Sequence, residues 1–368
     1  MLDAAAVWNR LDDLAKPRRS LGKLEALAVR LATIQHTLKP VTRPRRIVLF
    51  AGDHGVVARG VSAWPSEVTG LMVATILAGR ATSSALAAAH ECSLRLVDVG
   101  VASARPQSPP PFFRDARVAS GTQDLSAGPA MTPAQFDAAW QAGADEATRA
   151  VSEGNAVLIA GEMGIGNTTP AACLTMLFTH IGAEVAVGRG AGADDTTLAL
   201  KREVATAAVA RVVTQARDTG DRIASQQATS EIGAHSQSSS AQSAPPSTLR
   251  SAIEALSGFE IVSMAGFFAA GARNGATLLI DGYVATAAAL IAEHLHPGTV
   301  DHMIAAHRSA EPGHSAALSF LRLDPLLDWG MRLGEGTGAL VALPMLDSAA
   351  ALLRDVAALS DLGVARED

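Results

Sequence analysis

The sequence predicts an α/β fold built on a mainly parallel sheet. Two regularities predict it: short apolar runs that each end in a glycine-rich turn, and longer alanine-rich stretches of helical patterning between them. Runs this short and apolar throughout suit strands buried on both faces. Alternation of such strands with helices selects the parallel arrangement. Composition agrees: of 368 residues, 48% are apolar and 18% charged, enough for a sizeable core. Aromatics make up only 4%, so Ala, Val, Leu and Ile must fill that core.

Taken in order, Ile47–Ala51 precedes Gly52-Asp53-His54-Gly55, and Leu94–Val99 precedes Gly100. Ala156–Ala160 precedes Gly161, and Thr277–Ile280 precedes Asp281-Gly282. The helical stretches between them include Val68–Ala89, Pro133–Gly154 and Leu198–Ala216. In such sheets ligands gather at the carboxyl ends of strands, which is where these turns fall. The first 40 or so residues differ. Leu11, Leu14, Leu21, Leu24, Leu27 and Leu31 recur at roughly helical spacing, and the chain from about Pro325 is helical again. A small helical domain from residues 1–40 and 325–368 is therefore expected beside a large α/β domain, 41–324. Within the latter, 218–250 reads as a flexible insertion, because Ser225–Ser247 is rich in Ser and Gln and nearly free of large apolar residues.

Charge and cysteine content narrow the function classes. The net charge is −6 and no Lys/Arg block stands out, which argues against a nucleic-acid groove. Two cysteines, Cys92 and Cys173, cannot make a disulfide framework or a multi-thiolate zinc site. The first 19 residues lack the unbroken apolar core of a signal peptide, and no run of about 18 residues is free of glycine clusters and charges. A soluble, cytoplasmic protein is expected.

Three glycine-rich segments can carry chemistry. In Gly161-Glu162-Met163-Gly164-Ile165-Gly166-Asn167-Thr168-Thr169-Pro170, glycines follow a predicted strand and open a predicted helix, whose free N–H groups attract phosphate. No lysine follows as in a P-loop, and the dinucleotide spacing is absent. The competing reading is a plain strand–helix turn. Gly188-Arg189-Gly190-Ala191-Gly192-Ala193-Asp194-Asp195 offers a second set of exposed N–H groups, with Lys201 one to two turns into the next helix as a point charge for phosphate. Its alternative is a flexible turn with an Asp N-cap. In Arg332-Leu333-Gly334-Glu335-Gly336-Thr337-Gly338, a carboxylate flanked by glycines can face a ligand and, with partial burial, serve as a general base. Otherwise it is an acid at a helix N-terminus. The histidines of Asp53-His54 and of His307–His314 lack a metal-binding spacing and read as structural or cleft-shaping groups.

Together the segments resemble the CobT-type nicotinate-nucleotide:dimethylbenzimidazole phosphoribosyltransferases of cobalamin lower-ligand assembly. The matching pieces run in family order over nearly the whole chain. They are Lys16-Pro17 with Ser20–Glu25, Asp53–Val56, Gly60–Pro65 with Glu67-Val68-Thr69, Gly128–Met131, and Glu162–Thr169. Gly258-Phe259-Glu260 with Met264-Ala265-Gly266, Asp281-Gly282, Ser309-Ala310-Glu311 and Arg332–Gly338 complete the series. The resemblance implies a Rossmann-like large domain, a helical domain from the chain ends, a homodimer, and no metal or redox cofactor. It implies transfer of phosphoribose from nicotinate mononucleotide to 5,6-dimethylbenzimidazole. By the same resemblance Glu335 is the catalytic base and Glu162 a second active-site acid. Gly164, Ile165, Gly166, Asn167 and Thr168 hold the mononucleotide. Gly188, Gly190 and Lys201 contact phosphate, Trp64 borders the base pocket, and Arg332 and Gly334 flank the base glutamate on the substrate side. Many relatives carry a glutamine after the Glu-Val-Thr triplet, followed by an Asn-Phe-Leu-x-Gly-Gly run. This chain has Gly70-Leu71-Met72-Val73 and Thr75–Arg80 instead, which bears on the choice of base. Three rival readings remain: a glycoside hydrolase using Glu162 and Glu335 as its carboxylate pair, a non-catalytic mononucleotide binder, and the same transfer to adenine, another benzimidazole or a phenol.

Overall fold

The computed structural model describes residues 2–230 and 246–363. Among the described residues six parallel strands form one sheet: β1 (Arg45–Gly52), β2 (Ser93–Gly100), β3 (Phe113–Asp115), β4 (Val157–Met163), β5 (Thr277–Ile280) and β6 (Met303–Ala305). The helices are α1 (Ala4–Asp12), α2 (Lys23–Ile34), α3 (Glu67–Leu77), α4 (Thr82–Ala89), α5 (Pro133–Ser152), α6 (Thr168–Thr179) and α7 (Ala183–Ala186). They continue with α8 (Asp195–Ser230), α9 (Pro246–Leu256), α10 (Phe259–Arg273), α11 (Tyr283–Leu295), α12 (His314–Phe320) and α13 (Thr337–Asp355).

The strand order is β3-β2-β1-β4-β5-β6, so the order reverses between β1 and β4. Reversal sends the connections from β1 and β4 to opposite sides and opens a crevice at their carboxyl ends. Strand periodicity explains the two layers. Val48, Phe50, Leu158, Ala160, Leu278 and Ile280 face one core, with α5, α6, α10 and α11. The alternate residues Ile47, Leu49, Ile159 and Leu279 face the other, with α2 and α13. Low aromatic content has its counterpart in close helix packing. A Cβ at Gly143 of α5 would lie 1.7 Å from the Ser263 carbonyl oxygen of α10, and one at Gly266 would lie 2.2 Å from that of Trp140.

The chain ends meet. Ala15 N–H donates to Ala357 O at 2.9 Å and Leu359 N–H to Asp13 O at 2.9 Å, and α2 and α13 share a core with one face of the sheet. Two of the predicted helical stretches need correcting. Val68–Ala89 is two helices, because Gly79 turns left-handed (φ +70°) between them. The helix predicted to end at Ala216 runs on to Ser230, into the expected insertion, and α9 begins at Pro246 within it. The rest of that insertion, 231–245, lies outside the described residues.

β4 also outruns its expected end. Gly161, Glu162 and Met163 continue the ladder with β1 rather than forming a turn, with Glu162 opposite Phe50. Two stretches, Glu67–Ala89 and Thr337–Asp355, are by length and composition apolar enough to cross a membrane. The first is the broken α3–α4 pair, and the second is core, with Leu340, Leu343 and Leu346 fully buried.

Candidate active site

A cavity of about 420 Å³ opens at the carboxyl ends of β4, β5 and β6 beside the point where the strand order reverses. The predicted site residues converge on it from distant parts of the chain. Glu162, Gly164, Ile165, Gly166, Asn167 and Thr168 line it from the end of β4 and the start of α6. Gly190 and Lys201 line it from the second glycine segment, Arg332, Gly334 and Glu335 from the loop before α13, and Trp64 from the loop before α3. Gly188 is the exception, standing behind the wall. Its carbonyl accepts from Lys201 Nζ at 3.1 Å, and a Cβ there would lie 2.1 Å from Glu311 Oε2.

Local backbone requirements explain the glycines. A Cβ at Gly164 would lie 2.3 Å from Gly52 O, where the ends of β1 and β4 nearly touch. Gly334, Glu335 and Gly336 are all left-handed, with φ of +84°, +57° and +70°. Only glycine adopts that conformation freely, so the flanking pair leaves Glu335 as the one strained residue of the turn. The turn buries Glu335 to 3% exposure and opens α13 at Gly336, which has no side chain to cap the helix. Asp281 Oδ1 accepts the Ala339 N–H at 3.0 Å and caps it from the end of β5.

One part of the wall is acidic. The Glu162 carboxyl sits against Gly334, where a Cβ would lie 2.1 Å from Oε1, and Asn167 donates to its Oε2. Burial pushes the Glu162 pKa up to about 8, the charges of Glu260, Asp281 and Glu335 push the same way, and the Asn167 bond opposes them. Glu162 is therefore largely protonated at pH 7 and can donate a hydrogen bond. Linkage follows with a definite sign. Folded Glu162 keeps a proton that the unfolded chain releases above about 4.5, so its contribution to stability falls as pH rises from there to about 8. Ser83 of α4, fully buried, donates to Glu335 Oε2 at 2.8 Å.

Another part is basic and suited to an anion. Lys201 is 2% exposed and donates to Thr168 Oγ1 at 2.6 Å, at the first turn of α6. Burial lowers its pKa to about 8, against the pull of Glu311. Glu311 Oε1 accepts the Gly190 N–H at 2.9 Å. Arg332 donates to Gly190 O, tying the Glu335 loop to the second glycine segment. Trp64 is 51% exposed, and its indole N–H donates to Ala191 O at 3.1 Å, joining the loops on two sides of the opening. Within the glycine-rich loop after β4 two N–H groups are already engaged: that of Ile165 donates to Thr69 Oγ1 at 3.1 Å and that of Asn167 to Gly164 O at 3.2 Å. Asp194 caps α8 through the Thr197 N–H at 2.8 Å, so the second segment is both a helix cap and part of the cavity wall.

His54, His307 and His314 are all buried. His54 Nε2 lies 2.8 Å from Glu260 Oε1, both fully buried. Burial alone lowers the ring's pKa, but the charge and hydrogen bond of Glu260 and the charge of Asp53 together outweigh it and raise the pKa above its usual value. His307 stands 3.6 Å from Asp281, and there too the carboxylate overcomes burial and raises the pKa. His314 is driven down to about 3 by burial and by His307, so it is neutral. Its Nδ1 accepts from the Ser309 N–H, which leaves Nε2–H to donate to Thr286 Oγ1 at 2.9 Å. Asp281, His307, Ser309 and Glu311 line the cavity too: the sequence reading has His307 as structural or cleft-shaping, and has Asp281, Ser309 and Glu311 in family-matching pieces without a site role. Asp281 also follows a predicted strand, a second signal that could have found it. Of the unusual α3 positions, Met72 lines the cavity, Leu71 is 66% exposed, and a Cβ at Gly70 would lie 2.5 Å from Ser103 Oγ.

A Rossmann-ordered sheet with glycine-rich loops around a buried lysine and a carboxylate pair defines a mononucleotide-handling α/β enzyme. Comparison with known proteins identifies its family. A phosphoribosyltransferase family model matches residues 3–236 and 226–364. The nicotinate-nucleotide–dimethylbenzimidazole phosphoribosyltransferase of Thermus thermophilus is 40% identical over 357 residues, 97% of this chain and 96% of that one. That of Cupriavidus taiwanensis is 41% identical over 354 residues, covering 96% and 93%. The crystal structure of CobT from Thermus thermophilus superposes with a TM-score of 0.86 at 39% identity, covering 99% of each chain. The chain belongs to the nicotinate-nucleotide–dimethylbenzimidazole phosphoribosyltransferase family.

Proposed function

We propose that this enzyme transfers phosphoribose from nicotinate mononucleotide to 5,6-dimethylbenzimidazole, giving α-ribazole 5′-phosphate and nicotinate for the cobalamin lower ligand. It acts as a cytoplasmic homodimer, as family resemblance implies. The observation that carries the reading is a single cavity holding a buried lysine between glycine-rich loops together with a buried carboxylate pair.

The chemistry fits these groups. One benzimidazole nitrogen attacks ribose C1′ with its lone pair, and the other must lose its proton as positive charge develops. Glu335 accepts that proton. The C1′–N bond to nicotinate breaks, and its electron pair neutralises the pyridinium, so the leaving group needs little acid help. Attack opposite nicotinate turns the β linkage into α. Lys201 and the loop N–H groups hold the 5′-phosphate, which presents C1′ in line. Protonated Glu162 donates to a ribose oxygen. This last role predicts an alkaline limb: turnover falls above about pH 8 as Glu162 ionises. Glu162→Gln keeps a donor, so it should retain turnover within about tenfold and lose that limb. A pH–rate profile of both proteins checks it, and an unchanged limb in the variant removes Glu162 from this role.

The hydrolase alternative is disfavoured by the lining. Its aromatic side chains are Trp64 and Tyr283, and the Tyr283 hydroxyl is occupied by Ala186 O at 2.9 Å, which leaves a poor sugar platform. Val61, Val68, Met72 and Met163 supply an apolar surface suited to a flat base. Chromatography of purified enzyme with nicotinate mononucleotide, with and without 5,6-dimethylbenzimidazole, tests the reading. Ribazole phosphate with stoichiometric nicotinate is the expected result. Nicotinate release without an acceptor would mean hydrolysis. No product with this base, adenine, other benzimidazoles or phenols would mean a non-catalytic binder.

A further inference from the structure

The geometry assigns to Ser83 the positioning of the base glutamate: its hydroxyl holds Glu335 Oε2, so that Oε1 takes the substrate proton. The assignment rests on the reading of Glu335 as base. Three observations carry it. The Ser83 hydroxyl donates to Oε2 at 2.8 Å across 252 residues of sequence. Both residues are buried, at 0% and 3% exposure, so water does not compete for the carboxylate. Glu335 also sits on a left-handed backbone between two glycines, and α4 supplies an anchor from outside that turn.

The bond to Ser83 fixes the Glu335 carboxylate in one orientation. Removing the hydroxyl frees that side chain to leave the productive rotamer. Ser83 does not touch the reacting atoms. Its effect passes through Glu335.

The test is kcat and KM measured separately for Ser83→Ala in the full enzyme with nicotinate mononucleotide and 5,6-dimethylbenzimidazole. The expected result is a kcat lowered about tenfold, the worth of one hydrogen bond to a charged group. KM for the mononucleotide should hold. Ser84→Ala, on the same helical turn with its hydroxyl toward Ile76 O, should leave both constants unchanged. In a Glu335→Gln background, Ser83→Ala should have no further effect, because the carboxylate it acts on is gone. Should Ser83→Ala fail to fold, Ser83→Cys keeps the volume and weakens the donor, with the same loss of kcat expected. An impaired Glu335→Gln together with kcat within twofold in the Ser83 variant overturns the assignment alone. A near-normal Glu335→Gln overturns the base reading and this assignment with it.

Discussion

Glu335→Gln should lower turnover about a thousandfold, the middle of the range for general-base catalysis. Glutamine nearly matches glutamate in size, so the left-handed turn through Gly334 and Gly336 survives, and Ser83 can still donate to the amide oxygen. The amide cannot accept the azole proton. The mononucleotide KM should stay within a few-fold, because the lysine and loop contacts to phosphate are untouched. Steady-state kinetics with ribazole phosphate quantified by chromatography measures this. Turnover near that of the unaltered enzyme would remove the base from Glu335 and shift attention to Glu162, a second buried glutamate of the cavity wall.

Lys201→Met should raise the mononucleotide KM about thirtyfold, or about 2 kcal/mol, within the range of one hydrogen bond to a charged group. The plateau kcat should change little, since phosphate is held equally in ground and transition states. The unaltered enzyme carries a pH signature of its own. The Lys201 pKa lies near 8, so its charge is lost above that pH and KM should climb there. The variant should be flat over the same range. A thermal melt accompanies the kinetics, because Glu311 loses a neighbouring cation. An unchanged KM in a folded variant would exclude Lys201 from phosphate binding.

Patterning made the central strands legible because buried parallel strands are uniformly apolar, which is a local property. Thr277–Ile280 is found where the run of apolar residues placed it. β3 and β6, with three residues each, carry too little pattern to be seen. β4 was expected to end at Gly161, since glycine weakens a strand. Its pairing with β1 carries it past Ala160, where the pairing with β5 stops, and a Cβ at Gly161 would lie 2.6 Å from Leu49 Cδ2, so packing chose glycine there. Trp64 and the three glycine-rich segments meet at one cavity, because each follows a strand or precedes a helix and such junctions share one edge of the sheet.

What the sequence by itself determined was therefore the α/β class, the family and the segments that build the site. Each depends on the order of residue types along the chain. Only the tertiary structure decided the chemical state of those segments. Burial and three neighbouring carboxylates bring Glu162 to a pKa of about 8, which no pattern along the chain announces. Ser83 meets Glu335 across 252 residues, and Asp281 caps a helix 58 residues further on. Desolvation and Coulomb interaction depend on distance through space, and that distance is set when the strand ends converge.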